Sequence, residues 1–130
     1  MRHLIGVAGL LLFSTTWAAE NNPPKSIGDL TEICRYAVEP DKTPKGDALV
    51  MFQSGLDVGY CWGYMKGLGD LHALQTASKK SAPCFPPEVN QRQIVRMYIK
   101  WADENPELIH FDPVFGFYGA FATTFSCSAK

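Results

Sequence analysis

A chain of 130 residues, with 12 lysines and arginines against 13 aspartates and glutamates, has the length of one domain and almost no net charge. Nucleic-acid binding needs a basic face and anionic lipid attracts a polybasic segment, so this balance argues against both kinds of partner. Four isolated cysteines and three histidines are the residues left for metal or redox chemistry.

The first twenty residues, MRHLIGVAGLLLFSTTWAAE, have the form of a Sec signal peptide. A basic start precedes an apolar run from Leu4 to Phe13, and small residues precede the expected cleavage after Ala18. Because about ten apolar residues are too few to span ~30 Å of hydrocarbon, a membrane anchor is disfavoured. The sequence therefore predicts a signal peptide at 1–18 and one exported domain at 19–130.

The next two elements are predicted as helices. Ser26 is a suitable N-cap and Asp29 an acidic partner three residues later, which predicts a first helix over about 27–38. Apolar residues then recur every three or four positions without an intervening proline, which predicts a long second helix over about 46–76. This apolar series consists of Leu49, Phe52, Leu56, Tyr60, Tyr64, Leu68 and Leu71.

Two further helices complete the predicted domain. Asn90 is the expected N-cap of the third helix, which ends at Asn105 because the residue before Pro106 avoids helical geometry. Asp112 followed by Pro113 predicts the start of the last helix. No stretch alternates in the manner of a strand, so the predicted fold is all-α, a small four-helix bundle with two disulfides.

Four glycines recur every four residues along the second helix, although each costs about 1 kcal/mol relative to alanine. They are Gly55, Gly59, Gly63 and Gly67. Residues with this spacing follow one ridge of a helix, where a second helix can approach closely. Asp57, Lys66 and Asp70 argue against the membrane version of this pattern. We expect a packing seam that receives the bulky side chains of another helix.

An even number of cysteines in a small exported domain predicts two disulfides. The cysteines are Cys34, Cys61, Cys84 and Cys127, and their spacings match no CxxC metal or redox pattern. Three pairings exist. The chain that returns from Thr76 to Cys84 is long enough to reach Cys61, which favours Cys61–Cys84 together with Cys34–Cys127.

No catalytic or metal-binding arrangement is recognisable in the sequence. His72 and His110 lack a third ligand at helical spacing, and we expect His110 to be a turn or capping side chain. Serine-hydrolase, phosphate-loop and dinucleotide motifs are absent. The residues alone predict no catalytic residue, no metal and no cofactor, and they indicate a binding protein or structural module.

Several stretches, taken together, resemble the Tai family of type VI secretion amidase immunity proteins, which includes Rap-type resistance proteins. They are GYCWGYMKGLGD at 59–70, CFPPEVNQRQIVRMYIKW at 84–101, NPE with His110 at 105–110, and FSC at 125–127. The likeness covers roughly residues 45–127. Ser126 departs from the proline usual in the family, and Cys34 with its helix precedes the best-matching region.

The resemblance implies a periplasmic immunity protein that is not an enzyme. Such proteins are all-helical and homodimeric, and they bind and inhibit a peptidoglycan amidase of the NlpC/P60 cysteine-hydrolase type by blocking its substrate groove. The alternative is a periplasmic small-ligand or chaperone-like helical binding module, with a cavity lined by Gly59, Gly63 and Phe117.

For the surface that contacts the amidase, we expect the polar end of the third helix and its turn. These residues are Asp103, Glu104, Asn105 and Glu107. A carboxylate-rich protrusion there would lie near the catalytic histidine of the enzyme. The competing site is the loop 39–47, with Glu39, Asp41 and Asp47.

Overall fold

The computed structural model describes residues 23–76 and 83–127, without the side chains of residues 75 and 76. The predicted signal peptide at 1–18 lies outside the described residues. The helices are α1 (Ile27–Val38), α2 (Ala48–Thr76), α3 (Gln91–Glu104) and α4 (Pro113–Phe121), with short 3-10 turns at Pro40–Lys42 and Pro106–Leu108. The described part of the chain contains no strand, so the predicted all-α four-helix fold is confirmed.

Side-chain caps define the starts of three helices, as the sequence predicts. The hydroxyl of Ser26 accepts from the Asp29 amide at 3.1 Å, while the Asp29 carboxylate accepts from the Ser26 amide at 3.1 Å. Asn90 and Gln93 form the same reciprocal pair at the start of α3. The Asp112 carboxylate accepts from the amide two residues later at 2.8 Å. These bonds satisfy amides that have no partner within the helix.

Helices α1 and α3 each pack against the other three helices, and the most extensive of these contacts joins α1 to α2. Ile27, Leu30 and Cys34 repeat at helical spacing and are fully buried. Their partners come from the remaining helices: Cys61 and Met65, then Val95, Tyr98, Ile99 and Ala102, and finally Phe117, Ala120 and Phe121. The element that precedes the best-matching sequence region therefore organises the core.

The buried side of α2 is a single narrow face. Its buried residues follow one another at intervals of seven, four and seven positions, which places them on one side of a helix. They are Ser54, Cys61, Met65 and His72. Most of the predicted apolar series lies on other sides. Phe52, for example, remains 64 % exposed. The long helix is therefore apolar on a second face that the other described residues do not cover.

The disulfides are Cys34–Cys61 and Cys84–Cys127, each with a Cα–Cα distance of 5.1 Å. Two disulfides were expected, but the favoured pairing was wrong. Helix α1 packs along α2 and brings Cys34 opposite Cys61. The loop before α3 instead meets the end of the chain, where the Cys84 amide donates to the Phe125 carbonyl at 2.7 Å. The length of a connecting segment shows only which cysteine pairs could form a disulfide. The packing of the helices decides which cysteines meet.

The predicted glycine seam on α2 was also wrong. A Cβ built at Gly55, Gly59, Gly63 or Gly67 would have no neighbouring atom within 4 Å, so none of the other described helices approaches them closely. Close packing occurs instead at the glycines of α4. A Cβ at Gly116 would lie 2.8 Å from Ile27 Cγ1, and one at Gly119 would lie 2.5 Å from Trp101 Cζ2. The two glycines of α4 let that helix pack against α1 and α3.

Helix α4 ends earlier than the sequence suggested, at Phe121, and Cys127 follows it outside the helix. Four aromatic rings, two of them from α4, form a cluster that closes the end of the core. Ring centroids lie 5.3 Å apart for Phe85 and Phe121, 5.1 Å for Phe117 and Phe121, and 5.0 Å for Phe85 and Phe125. The loop residue Phe85 is thus held between α4 and the segment that follows it.

Alanine at Gly119 and alanine at Gly69 are expected to change stability in opposite directions. The new methyl of Gly119→Ala overlaps the Trp101 ring, which lowers the free energy of unfolding by about 1–3 kcal/mol. The methyl of Gly69→Ala meets no atom within 4 Å, so the higher helix propensity of alanine raises the free energy of unfolding by about 0.5–1 kcal/mol. Urea denaturation followed by circular dichroism measures both values. Equal effects of the two substitutions would contradict the packing described for α4.

Candidate functional site

His72, the buried histidine of α2, has a structural position. Its Nε2 lies 2.7 Å from the Pro83 carbonyl oxygen and its Nδ1 lies 3.2 Å from the Tyr118 hydroxyl. Since a carbonyl can only accept, Nε2 donates to Pro83, and a neutral ring then accepts from Tyr118 at Nδ1. The ring joins α2 to the following loop and to α4. This bonding occupies both nitrogens with neighbouring groups of the fold.

The other groups with potential chemistry are dispersed. Among residues 23–76 and 83–127, no three His, Cys, Asp or Glu side chains are grouped closely enough to hold a metal ion. Each of the four cysteines is in a disulfide. None of the helices described is long and apolar enough for a membrane span. Four surfaces of the described chain stand out as candidate functional regions.

The first surface is the predicted acidic one, here called the acidic end, formed by Asp103, Glu104, Asn105 and Glu107. Two of its carboxylates have cationic partners: Asp103 pairs with Arg35 of α1, and Glu104 lies 3.7 Å from Lys100 Nζ. The Asn105 side-chain amide donates to the Trp101 carbonyl at 2.7 Å, which closes the end of α3. The acidic end is thus one continuous segment, but its charge is partly neutralised by neighbouring cations.

The second surface, which the sequence reasoning missed, is an apolar corner that follows the acidic end. It consists of Ile109, Phe111, Val114 and Phe115, which are between 38 % and 52 % exposed. The rings of Phe111 and Phe115 lie 5.4 Å apart, and the His110 ring lies 4.4 Å from Phe111. A signal was present, because apolar residues around Phe115 occupy adjacent positions and cannot all face one core.

The apolar corner is anchored to the first turn of α1. The Ile27 amide donates to the Phe111 carbonyl and the Gly28 amide donates to the Ile109 carbonyl, both at 2.8 Å. These two bonds satisfy amides at the start of α1 that have no partner within the helix. The corner also lies next to the acidic end in the sequence. The exposed rings therefore stand on a fixed backbone beside a group of carboxylates.

The third surface is the competing loop 39–47, which borders a cavity of about 420 Å³. The cavity is lined by Pro40, Thr43, Pro44, Lys45, Gly46, Met51, Ser54, Gly55 and Val58. Two of the three carboxylates of the loop have local roles. Glu39 lies 3.9 Å from Arg35 Nη1, and Asp47 accepts from the Leu49 amide at 3.0 Å at the start of α2. The loop therefore presents an apolar cavity more than a set of free charges.

The fourth surface is the outer face of α2, opposite the buried side. It consists of Leu49, Phe52, Leu56, Gly59, Tyr60, Gly63, Lys66, Gly67, Asp70, Leu71 and Leu74. Exposure reaches 73 % at Leu49 and 77 % at Leu74. The Lys66 ammonium lies 2.7 Å from the Asp70 carboxylate, so the two charged groups of this face neutralise each other.

The hydroxyl of Tyr64, in the middle of α2, is close enough to the start of α4 to be affected by its charge. Burial raises the pKa of the Tyr64 hydroxyl, and the nearby negative charge of Asp112 raises it further. Tyr64 also stacks on Tyr60, with ring centroids 5.8 Å apart. The tyrosine pair thus borders the outer face of α2 on the side where α4 begins.

The cavity expected for a small-ligand module is not formed by the residues named for it. Phe117 is fully buried in the core, whereas Gly59 and Gly63 lie on the exposed face of α2. A Cβ at either glycine would meet nothing within 4 Å. The glycine row therefore does not open onto Phe117.

Comparison with known proteins gives one result for the whole domain. The model of a family described as Rap1a immunity proteins matches residues 26–127. This match includes α1, all four cysteines, the acidic end and the apolar corner. Neither a curated protein nor a solved structure matches the chain.

Proposed function

The chain belongs to the Rap1a immunity proteins, a type VI secretion immunity family, and from this we propose that it inhibits a toxin with peptidoglycan amidase activity. The toxin class is an NlpC/P60-type cysteine hydrolase, as the resemblance to amidase immunity proteins implies. The protein acts by binding and is not itself an enzyme. The family match over residues 26–127 is the observation that carries this proposal.

The proposed location is the periplasm, where a peptidoglycan amidase meets its substrate. Two features of the chain support this. Residues 1–18 have the pattern of a signal peptide, and the domain at 19–130 contains two disulfides, which form and persist in oxidising compartments. We also propose that the mature protein is a homodimer, as the same resemblance implies.

The acidic end and the apolar corner together are the proposed contact with the amidase. Tight interfaces combine exposed aromatic side chains that become buried with a polar rim around them. Phe111 and Phe115 provide such rings, and the carboxylate of Glu107 lies in the turn just before them. Charges in the rim accelerate association, while the buried rings determine how long the complex lasts.

The decisive experiment mixes the purified mature protein with a candidate amidase and measures peptidoglycan cleavage. We expect equimolar protein to abolish cleavage. Phe111→Asp is expected to weaken binding roughly 30-fold or more, because a charge replaces a ring at the centre of the contact. Surface plasmon resonance measures the dissociation constant.

Met51→Asp is the matched control, since Met51 is also exposed, at 65 %, but borders the cavity beside loop 39–47. It should leave amidase binding unchanged. If Met51→Asp weakens binding and Phe111→Asp does not, the loop is the contact and the apolar corner is not. Unchanged cleavage in the presence of the wild-type protein would contradict the amidase as the target.

A further inference from the structure

Helix α2 has two apolar faces, and the described part of the chain covers one of them. Helices that are apolar on every side are normally buried on every side. The six large apolar side chains of the outer face (Leu49, Phe52, Leu56, Tyr60, Leu71 and Leu74) are between 38 % and 77 % exposed. Taking roughly 150 Å² for each, the lower end of the range for aromatic side chains, these fractions correspond to an area on the order of 500 Å². A standard interface buries ~800 Å² on each partner, so these six side chains alone would supply more than half of one.

The outer face is also electrically neutral, which permits a copy of itself to approach. Its two charged side chains, Lys66 and Asp70, form an ion pair with each other at 2.7 Å. No like charges would therefore be forced together when two such faces meet.

The order of side chains along the outer face is nearly symmetric about Gly63. Gly59 and Gly67 lie four residues to either side of it, and Phe52 and Leu74 lie eleven residues to either side. Leu56 precedes Gly63 by seven residues, and Asp70 follows it by seven with Leu71 next to it, so the positions mirror each other more closely than the residue types do. A pattern that reads alike in both directions is self-complementary when two copies of a helix lie antiparallel, as an interface with twofold symmetry requires.

We propose that the outer face of α2 is the interface between two copies of this chain, with the helices antiparallel and the twofold axis at Gly63. This rests on the homodimer proposed above and adds its location. The three central glycines then have a physical reason, because they let two backbones approach where side chains would separate them. Within the monomer, a Cβ at these positions would meet no atom within 4 Å.

The proposed geometry makes specific pairs. Gly59 faces Gly67 of the second copy, and Phe52 faces its Leu74. Lys66, three residues after the axis, faces Tyr60, three residues before it, so the ammonium approaches the face of an aromatic ring. Such a cation–π contact adds to the apolar contacts on both sides of the axis.

The test measures the mass of the mature protein in solution by sedimentation equilibrium, without any toxin present. We expect a dimer for the wild type. Gly63→Leu is expected to raise the dimer dissociation constant about 30-fold or more, because two leucines would meet on the axis. The substitution leaves the monomer intact, since the new side chain points into open space.

Gly69→Leu is the matched control, because Gly69 is also open but lies about 120° around the helix from Gly63. It should remain dimeric. Phe52→Lys provides a second variant, which is expected to be monomeric because it removes a flanking ring and places a charge against the apolar Leu74 of the second copy. Circular dichroism checks that each variant retains the helical content of the wild type.

The outcomes separate this inference from the proposals on which it rests. The wild type is measured at about 100 μM, where even weak association is visible, and after 100-fold dilution. If it is monomeric at both concentrations, the homodimer and this interface are contradicted together. A wild-type dimer that Gly63→Leu and Phe52→Lys leave intact contradicts only the interface. Loss of amidase inhibition in Gly63→Leu, with the wild type monomeric, would show that the toxin occupies this face instead. The immunity function is tested independently by the cleavage assay.

Discussion

Replacing Cys34 and Cys61 together by alanine lowers the free energy of unfolding by about 3–4 kcal/mol, the value expected for a loop closed by residues 27 apart. The bridge joins helix α1 to the long helix α2, and both cysteines are fully buried. In the unfolded chain, its loss frees the whole segment between them. The measurement is urea denaturation under non-reducing conditions.

The control for this prediction removes one cysteine from each bridge. Cys61→Ala combined with Cys84→Ala changes the same number of cysteines but disrupts both disulfides, so it is expected to destabilise more than the Cys34 and Cys61 pair. Replacing Cys84 and Cys127 together by alanine should lower the free energy of unfolding by about 4 kcal/mol, because the loop that this disulfide closes spans 43 residues. If the Cys61 and Cys84 variant were the mildest of the three, the pairing described above would be wrong.

Phe121→Ala is expected to lower the free energy of unfolding by about 3–5 kcal/mol, because it leaves a cavity in the closed end of the core. Phe121 is fully buried, and its ring contacts those of Phe85, Phe117 and Phe125. No single neighbour can fill the space, since Phe85 is held in position by the loop next to the Cys84 disulfide. Thermal and urea denaturation measure the loss.

Phe115→Ala is the matched control for Phe121→Ala, since it makes the same chemical change in the same helix. Phe115 is 52 % exposed, so the expected cost is within about 0.5 kcal/mol. A similar loss for the two variants would contradict the assignment of one ring to the core and the other to the apolar corner. Phe115→Ala is also useful in the binding assay, where it should weaken the amidase complex without unfolding the protein.

The proposed contacts give the two exposed apolar regions separate roles. The apolar corner stands beside the acidic end and is anchored to the start of α1, which suits a contact that must keep its shape. The outer face of α2 is long, neutral and nearly symmetric, which suits a second copy of the chain.

The candidate contact with the toxin was only partly predictable from the sequence. The acidic end is visible in the sequence as one continuous polar segment, because its carboxylates lie next to one another around Pro106, and its role as the contact stays a prediction. The pairing of Asp103 with Arg35, which reduces its free charge, depends on the packing of α3 against α1. The apolar corner was missed because the exposure of Phe111 and Phe115 depends on which sides of α4 the other helices cover.

The helices themselves were determined locally. Ser26, Asn90 and Asp112 bond to amides two or three residues away, so the sequence alone placed three helix starts correctly. Disulfide pairing and the roles of the glycines could not be obtained in this way. Cys34 meets Cys61 only because α1 packs along α2, and Gly116 and Gly119, not the row on α2, lie where helices come closest. Hydrogen bonds within a helix are short-range, whereas the choice of which faces meet depends on all four helices together.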